Sequence, residues 1–210
     1  PLFSAAGSRL ARGLCRASLG LSVNYLRTLL SIAGLCMSVA TANAQDVAPG
    51  QLFPGQLLNI KAPDSVGWKL LKASPTGMNF YRSGNAANES YVAMVRAFKL
   101  PETANQAEFV ALVEKGFEAL PKQFEVLKAK HECVAERASP CARTAALLKD
   151  TQAFSGRESL NIQWYALICR HPYQRDLGFE ISFSHRGGAL DSNLEREAIA
   201  FAQGVQVTDK

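Results

Sequence analysis

Four strand-length segments follow one another with no helix between them, over residues 124–134, 141–150, 160–170 and 178–185. The connections are short: Glu136 to Pro140, Phe154 to Gly156 and His171 to Asp176. Links of that length return a chain antiparallel to itself, so this half of the molecule is expected to be a meander. Turn centres near residue 137 and at Ser155 place Cys133 opposite Cys141, and Cys141 opposite Cys169. Since side chains alternate with a period of two, Leu127, Ala129, Leu147, Tyr165, Leu167, Phe179, Ile181 and Phe183 share the face of the cysteines. Val126, Thr144, Ala146, Leu148, Ile162, Trp164, Ala166 and Ile168 share the other. Both faces are largely apolar, and a sheet of that kind needs cover on both sides.

Two amphipathic segments can supply the cover. In 103–120, Thr103 and Gln106 fit a capping box, Phe109, Leu112, Val113, Phe117 and Leu120 recur at helical spacing, and Pro121 stops the run. A closing helix opens at Ser192 with Glu195 as its capping partner, and presents Leu194, Ala198, Phe201, Ala202 and Val205. Ahead of the first helix, 67–82 is a hairpin around Ser74-Pro75-Thr76-Gly77, with Pro and Gly where a type I turn wants them. A third strand spans 90–99 and ends before Pro101. The order β-β-β-α-β-β-β-β-α predicts an α+β fold, an α/β/α sandwich with a central antiparallel sheet.

Residues 1–44 hold four arginines and no acidic residue, and lead through an apolar run (29–40) to Ala42-Asn43-Ala44. A basic region, a short apolar stretch and a small-x-small site make a cleavable secretory signal, with cleavage expected after Ala44 and a periplasmic destination. The run is shorter than the ~20 residues of a bilayer span, so no stable membrane span is expected after cleavage. Residues 45–56 are expected to form a flexible lead-in, and 57–210 a single domain. Removing the leader leaves 19 of the 23 basic residues against 18 acidic ones. Near-neutrality carries no electrostatic footprint for nucleic acid, and the pI of about 9.1 belongs to the leader.

An exported chain with three remaining cysteines has one bridge and one thiol left over, or an intermolecular bond. The Cys133–Cys141 bridge closes the smaller loop and is the expected one, leaving Cys169 as the free thiol; Cys141–Cys169 is the alternative. His131 and His171 flank the cysteine row, but strand spacing suits no structural zinc knuckle, and no metal is expected. A thiol enzyme using Cys169 with His171 as base is the rival functional reading. Phosphate loops, dinucleotide fingerprints, nucleophile elbows and calcium loops are absent from the sequence, so no cofactor is expected. Trp68, Phe80, Tyr81 and Tyr91 give the first half an aromatic set that suits either a core or a groove between the hairpin and the main sheet.

The strand order, Ala62-Pro63 followed by Gly67-Trp68, the Phe80-Tyr81 strand and the closing Phe201, Gly204 and Val205 resemble the PsbP/DcrB-like superfamily over residues 57–207. That resemblance implies an α/β/α sandwich and a non-enzymatic accessory or binding role in the cell envelope. The partner would be an envelope protein or a small ligand.

Overall fold

The computed structural model describes residues 44–86, 88–134, 139–152 and 159–208; the proposed signal segment, apart from Ala44, lies outside them. In chain order the elements are β1 (Gln45–Asp46), β2 (Leu52–Phe53), β3 (Leu58–Lys61), β4 (Lys69–Ser74), β5 (Gly77–Ser83), β6 (Ser90–Lys99), α1 (Gln106–Glu118), β7 (Phe124–Val134), β8 (Cys141–Asp150), β9 (Leu160–Arg170), β10 (Leu177–Gly187), α2 (Leu194–Gln203) and β11 (Val205–Val207). Eight strands form one antiparallel sheet in the order β1-β4-β5-β6-β10-β9-β8-β7. A second sheet of three runs β11-β3-β2. The class is α+β, as the strand and helix pattern predicts.

Each helix covers one face of the large sheet. On one side, Phe109, Leu112, Val113 and Phe117 of α1 pack on Ala142, Ala146, Leu148, Ile162, Trp164 and Ile168. The alanines let the helix approach, and Phe117 stacks on Trp164 with ring centroids 5.4 Å apart. On the other side, Leu194, Ala198 and Phe201 of α2 share a core with Phe80, Leu167, Phe179, Ile181 and Phe183, closed by Leu58, Ile60 and Val205 of the small sheet. Burying each large apolar side chain stabilises by about 1.5 to 3 kcal/mol, and each helix contributes several of them to its core.

Both helix starts differ from the sequence expectation. For α1 the box is Asn105 with Glu108, not Thr103 with Gln106: the Glu108 N–H donates to Asn105 Oδ1 at 2.9 Å, and the Ala104 N–H to Glu108 Oε2 at 2.8 Å. Asparagine caps as well as threonine or better, and a carboxylate accepts more strongly than an amide. For α2 the cap is Asn193, and Asp191 Oδ1 accepts the Asn193 N–H at 2.8 Å. The 45–56 stretch, expected as a lead-in, pairs β1 with β4 and β2 with β3, and buries Val47 in the α2-side core.

The cysteine row is corrected by one residue. Between Val126 and Lys128 strand β7 bulges at Leu127, so Val126 lies opposite Leu148 and Lys128 opposite Leu147. Toward the hairpin this offset puts Cys133 opposite Ala142 and Val134 opposite Cys141. A slip of one position turns every following side chain to the other face. Ala129, His131 and Cys133 therefore face α1, and Cys133 packs in the α1-side core. The β8–β9 register is as expected, with Cys141 opposite Cys169. These two form the disulfide, with Cα atoms 4.1 Å apart. The expected Cys133–Cys141 bridge is replaced by Cys141–Cys169, and Cys169 is not a free thiol.

The bridge is fully buried and joins residues separated by 28 positions. The loop-closure estimate gives about 3 to 4 kcal/mol for such a link. The double variant Cys141→Ala/Cys169→Ala should lose that much unfolding free energy in urea titration; a loss below about 1 kcal/mol would show that the sheet holds this corner without the bond.

Candidate functional site

A helix about 10 Å across covers about two strands spaced ~4.8 Å apart. One helix per face therefore cannot cover eight strands. On the α2 side, the α2 wall stands over β9 and β10, and the surface falls away toward β8. A groove of about 620 Å³ lies at that step. Its floor is Tyr165, Leu167, Ile181 and Phe183, its helical wall Ala198, Ile199 and Ala202, and its end Val205 and Val207 of β11. Arg143 of β8 and Glu195 of α2 supply charge at the rim.

These positions follow from local pattern. Tyr165 and Leu167 alternate with the α1-facing Trp164 and Ala166 on β9, so the groove takes the second face of a strand already buried on its first. Ala198, Ile199 and Ala202 fall on one side of α2 because positions three and four apart are neighbours on a helix. Burial of the Tyr165 hydroxyl, with the Glu195 carboxylate nearby, pushes its pKa up. The site thus offers a mainly apolar floor with one phenol and two opposite charges, a composition suited to holding a ligand by shape and apolar contact.

The aromatic set singled out in the sequence divides. The hairpin is part of the main sheet, with β5 paired to β6 and β6 to β10, so hairpin and sheet are one surface rather than two facing walls. Trp68 and Phe80 are 1% and 0% exposed in the α2-side core. Tyr81 and Tyr91 are half-buried and line a separate cleft of about 470 Å³ with Lys69, Arg82 and Asn85.

The bridge of Cys169 to Cys141 removes the thiolate that the enzyme reading requires. His171 is 2% exposed, its Nδ1 accepts the Tyr173 N–H at 3.3 Å, and burial lowers its pKa. The bulge separates His131 and Cys133 from Cys141 and Cys169 by the thickness of the sheet. No group of three or more His, Cys, Asp or Glu suited to a metal ion occurs among the described residues. No helix among them is long and apolar enough to cross a membrane.

No protein-family model matches the chain, and no curated protein matches it in sequence. Solved structures do. The chain is similar to LpqN of Mycobacterium tuberculosis, described as involved in cell envelope biogenesis, at TM-score 0.46 and 15% identity over 79% of this chain and 91% of that one. It is similar to the Ran-binding protein Mog1p of Saccharomyces cerevisiae, at TM-score 0.42 and 12% identity over 80% and 96%. It is also similar to the PsbP protein CyanoP of Synechocystis sp. PCC 6803, at TM-score 0.40 and 14% identity over 82% and 97%. All three likenesses lie under a TM-score of 0.5, at 12 to 15% identity.

Proposed function

We propose that this chain is an exported binding or accessory protein of the cell envelope, which holds an apolar ligand or partner segment in the groove between α2 and β8–β10. The groove carries the reading: about 620 Å³ of space floored by Tyr165, Leu167 and Ile181 and walled by Ala198 and Ile199. The arginine-rich leader ending at Ala44 supports export, as does a buried disulfide, which persists in oxidising compartments.

Ile199 lines the groove yet is 45% exposed, so a charge there should leave the fold intact and spoil the apolar mouth. Protein purified from its own envelope and analysed by native mass spectrometry should carry a bound species that Ile199→Glu loses by about tenfold or more, at unchanged thermal stability. Equal retention by both forms would refute the groove as the binding site. Export is tested by fusing residues 1–44 to a reporter enzyme active only outside the cytoplasm; an inactive, uncleaved fusion would refute it.

A further inference from the structure

His185 is 2% exposed, and groups from four segments close on it. Its Nε2 lies 2.9 Å from Glu89 Oε1, in the connection between β5 and β6. Its Nδ1 lies 3.2 Å from Gln163 Oε1 on β9. The Tyr91 ring of β6 packs on the imidazole with centroids 4.7 Å apart. Asp191, in the connection from β10 to α2, is tied to the same cluster through Gln163 and Tyr91.

The proton count follows from these partners. The Gln163 amide is oriented by the backbone of Asp191: Oε1 accepts the Asp191 N–H at 2.6 Å, and Nε2 donates to the Asp191 carbonyl at 3.2 Å. Flipping the amide would set donor against donor and acceptor against acceptor. Gln163 therefore presents an acceptor to His185 Nδ1. Glu89 presents a carboxylate oxygen to Nε2, while its other oxygen accepts the N–H groups of Asn85 and Ala86 at 2.7 and 3.2 Å. Both imidazole nitrogens face acceptors, and only the imidazolium can donate to both at once.

We infer that His185 is a proton-operated latch: its imidazolium, bridging Glu89 and Gln163, fixes Glu89 with the Asn85 and Ala86 N–H groups that it holds and, through Asp191, the start of α2. This goes beyond the groove reading and does not depend on a ligand being bound there. Neutral imidazole keeps one N–H. Whichever nitrogen loses its proton then turns a lone pair on an acceptor oxygen, and because His185 itself is 2% exposed that nitrogen has little water to turn to instead. The latch is therefore closed while the imidazolium persists and opens as pH rises and removes it.

The acid side has the opposite sign. The hydrogen bond from His185, with the Ala86 and Asn85 N–H groups, holds the Glu89 carboxyl below the usual carboxylate range. Its contribution is full above that range and is lost only as pH falls below it. Burial, with Asp191 beside it, pushes the Tyr91 phenol up to about 12, so Tyr91 stays a donor, to Asp191 Oδ2 at 3.1 Å. The Arg82 guanidinium lies 4.2 Å from the Tyr91 ring centroid and pairs with Glu197 of α2 at 3.4 Å, completing the charges around the cluster. Opening the latch would loosen the N-terminal turns of α2, which carry Glu195 at the groove rim and Ala198 in its wall.

Two glycines separate the latch from its surroundings. A Cβ at Gly187 would come within 2.9 Å of His185 Nε2 and 3.5 Å of Glu89 Cγ, whereas one at Gly188 would meet nothing within 4 Å. Gly187→Ala should push the ring off Glu89 without altering a titratable group, and Gly188→Ala should not. The experiment combines ¹⁵N NMR of the His185 ring with hydrogen exchange of segments 84–91 and 188–198, from about pH 5 to about pH 8, where histidine changes charge. Two protonated ring nitrogens are expected at the acid end. Protection of both segments, corrected for intrinsic exchange, should fall together by about tenfold as the proton leaves. H185Q should show no such step, G187A should be open throughout, and G188A should follow the wild type. A single protonated nitrogen at about pH 5, or a wild-type profile parallel to that of H185Q, would overturn the latch; should H185Q fail to fold, the NMR and G187A arms decide alone.

Discussion

Replacing Phe80 with alanine should lower the unfolding free energy by about 3 to 5 kcal/mol, the usual cost of emptying a buried aromatic site. Phe80 has no exposed surface, and its ring lies 5.7 Å from Phe53 of β2 and 6.2 Å from Phe201 of α2. It thus joins the large sheet, the small sheet and the helix at one point. Collapse is hampered because both neighbours are held by their own elements. The adjacent Tyr81 points to the opposite face and is half-buried, so Tyr81→Ala should cost clearly less in the same urea titration. A Phe80→Ala loss below about 1 kcal/mol would contradict its place in the core and revive a ligand role for the ring.

Arg96→Met should cost a similar amount by a different route. Glu180 is 1% exposed on the α1 side of β10, and Arg96 Nε and an Arg96 terminal nitrogen donate to one of its oxygens at 2.7 and 2.6 Å. Register sets the pair, since Glu180 lies directly opposite Arg96. Removing one partner of a buried pair strands the other charge, at about 3 to 5 kcal/mol. Replacing both by apolar groups of similar size is often neutral, so Arg96→Met/Glu180→Leu should recover much of the loss. Denaturation midpoints for the two forms check this; a single-variant loss below about 1 kcal/mol would assign the pair to the weak surface class.

The long strands were legible because each repeats its pattern over ten or more residues: 90–99, 124–134, 141–150 and 160–170 are all strands as expected. Burial on both faces was legible from the same alternation, and it predicted the two helical covers. The short strands β1, β2, β3 and β11 were not, since two to four residues carry no period, and partners distant in sequence decide their pairing. The bulge at Leu127 left no local signal either. It alone moved Cys133 to the other face, and with it the choice of bridge. The groove escaped notice for a related reason: Tyr165, Leu167 and Ile181 look like ordinary core positions, and only the limited width of α2 leaves part of their face open. The latch was equally hidden, because His185, Glu89, Gln163 and Asp191 are brought together by strand order rather than spacing.

The central claim is that the α2 groove, and not another exposed apolar surface, receives the ligand or partner. A photo-crosslinking residue placed at Ile199 in the groove wall, and for comparison at Tyr173, which is 64% exposed in the β9–β10 connection, tests it in intact envelopes. A discrete adduct at position 199 and none at 173 is the predicted result. Equal labelling at both positions, or labelling at 173 alone, would contradict it.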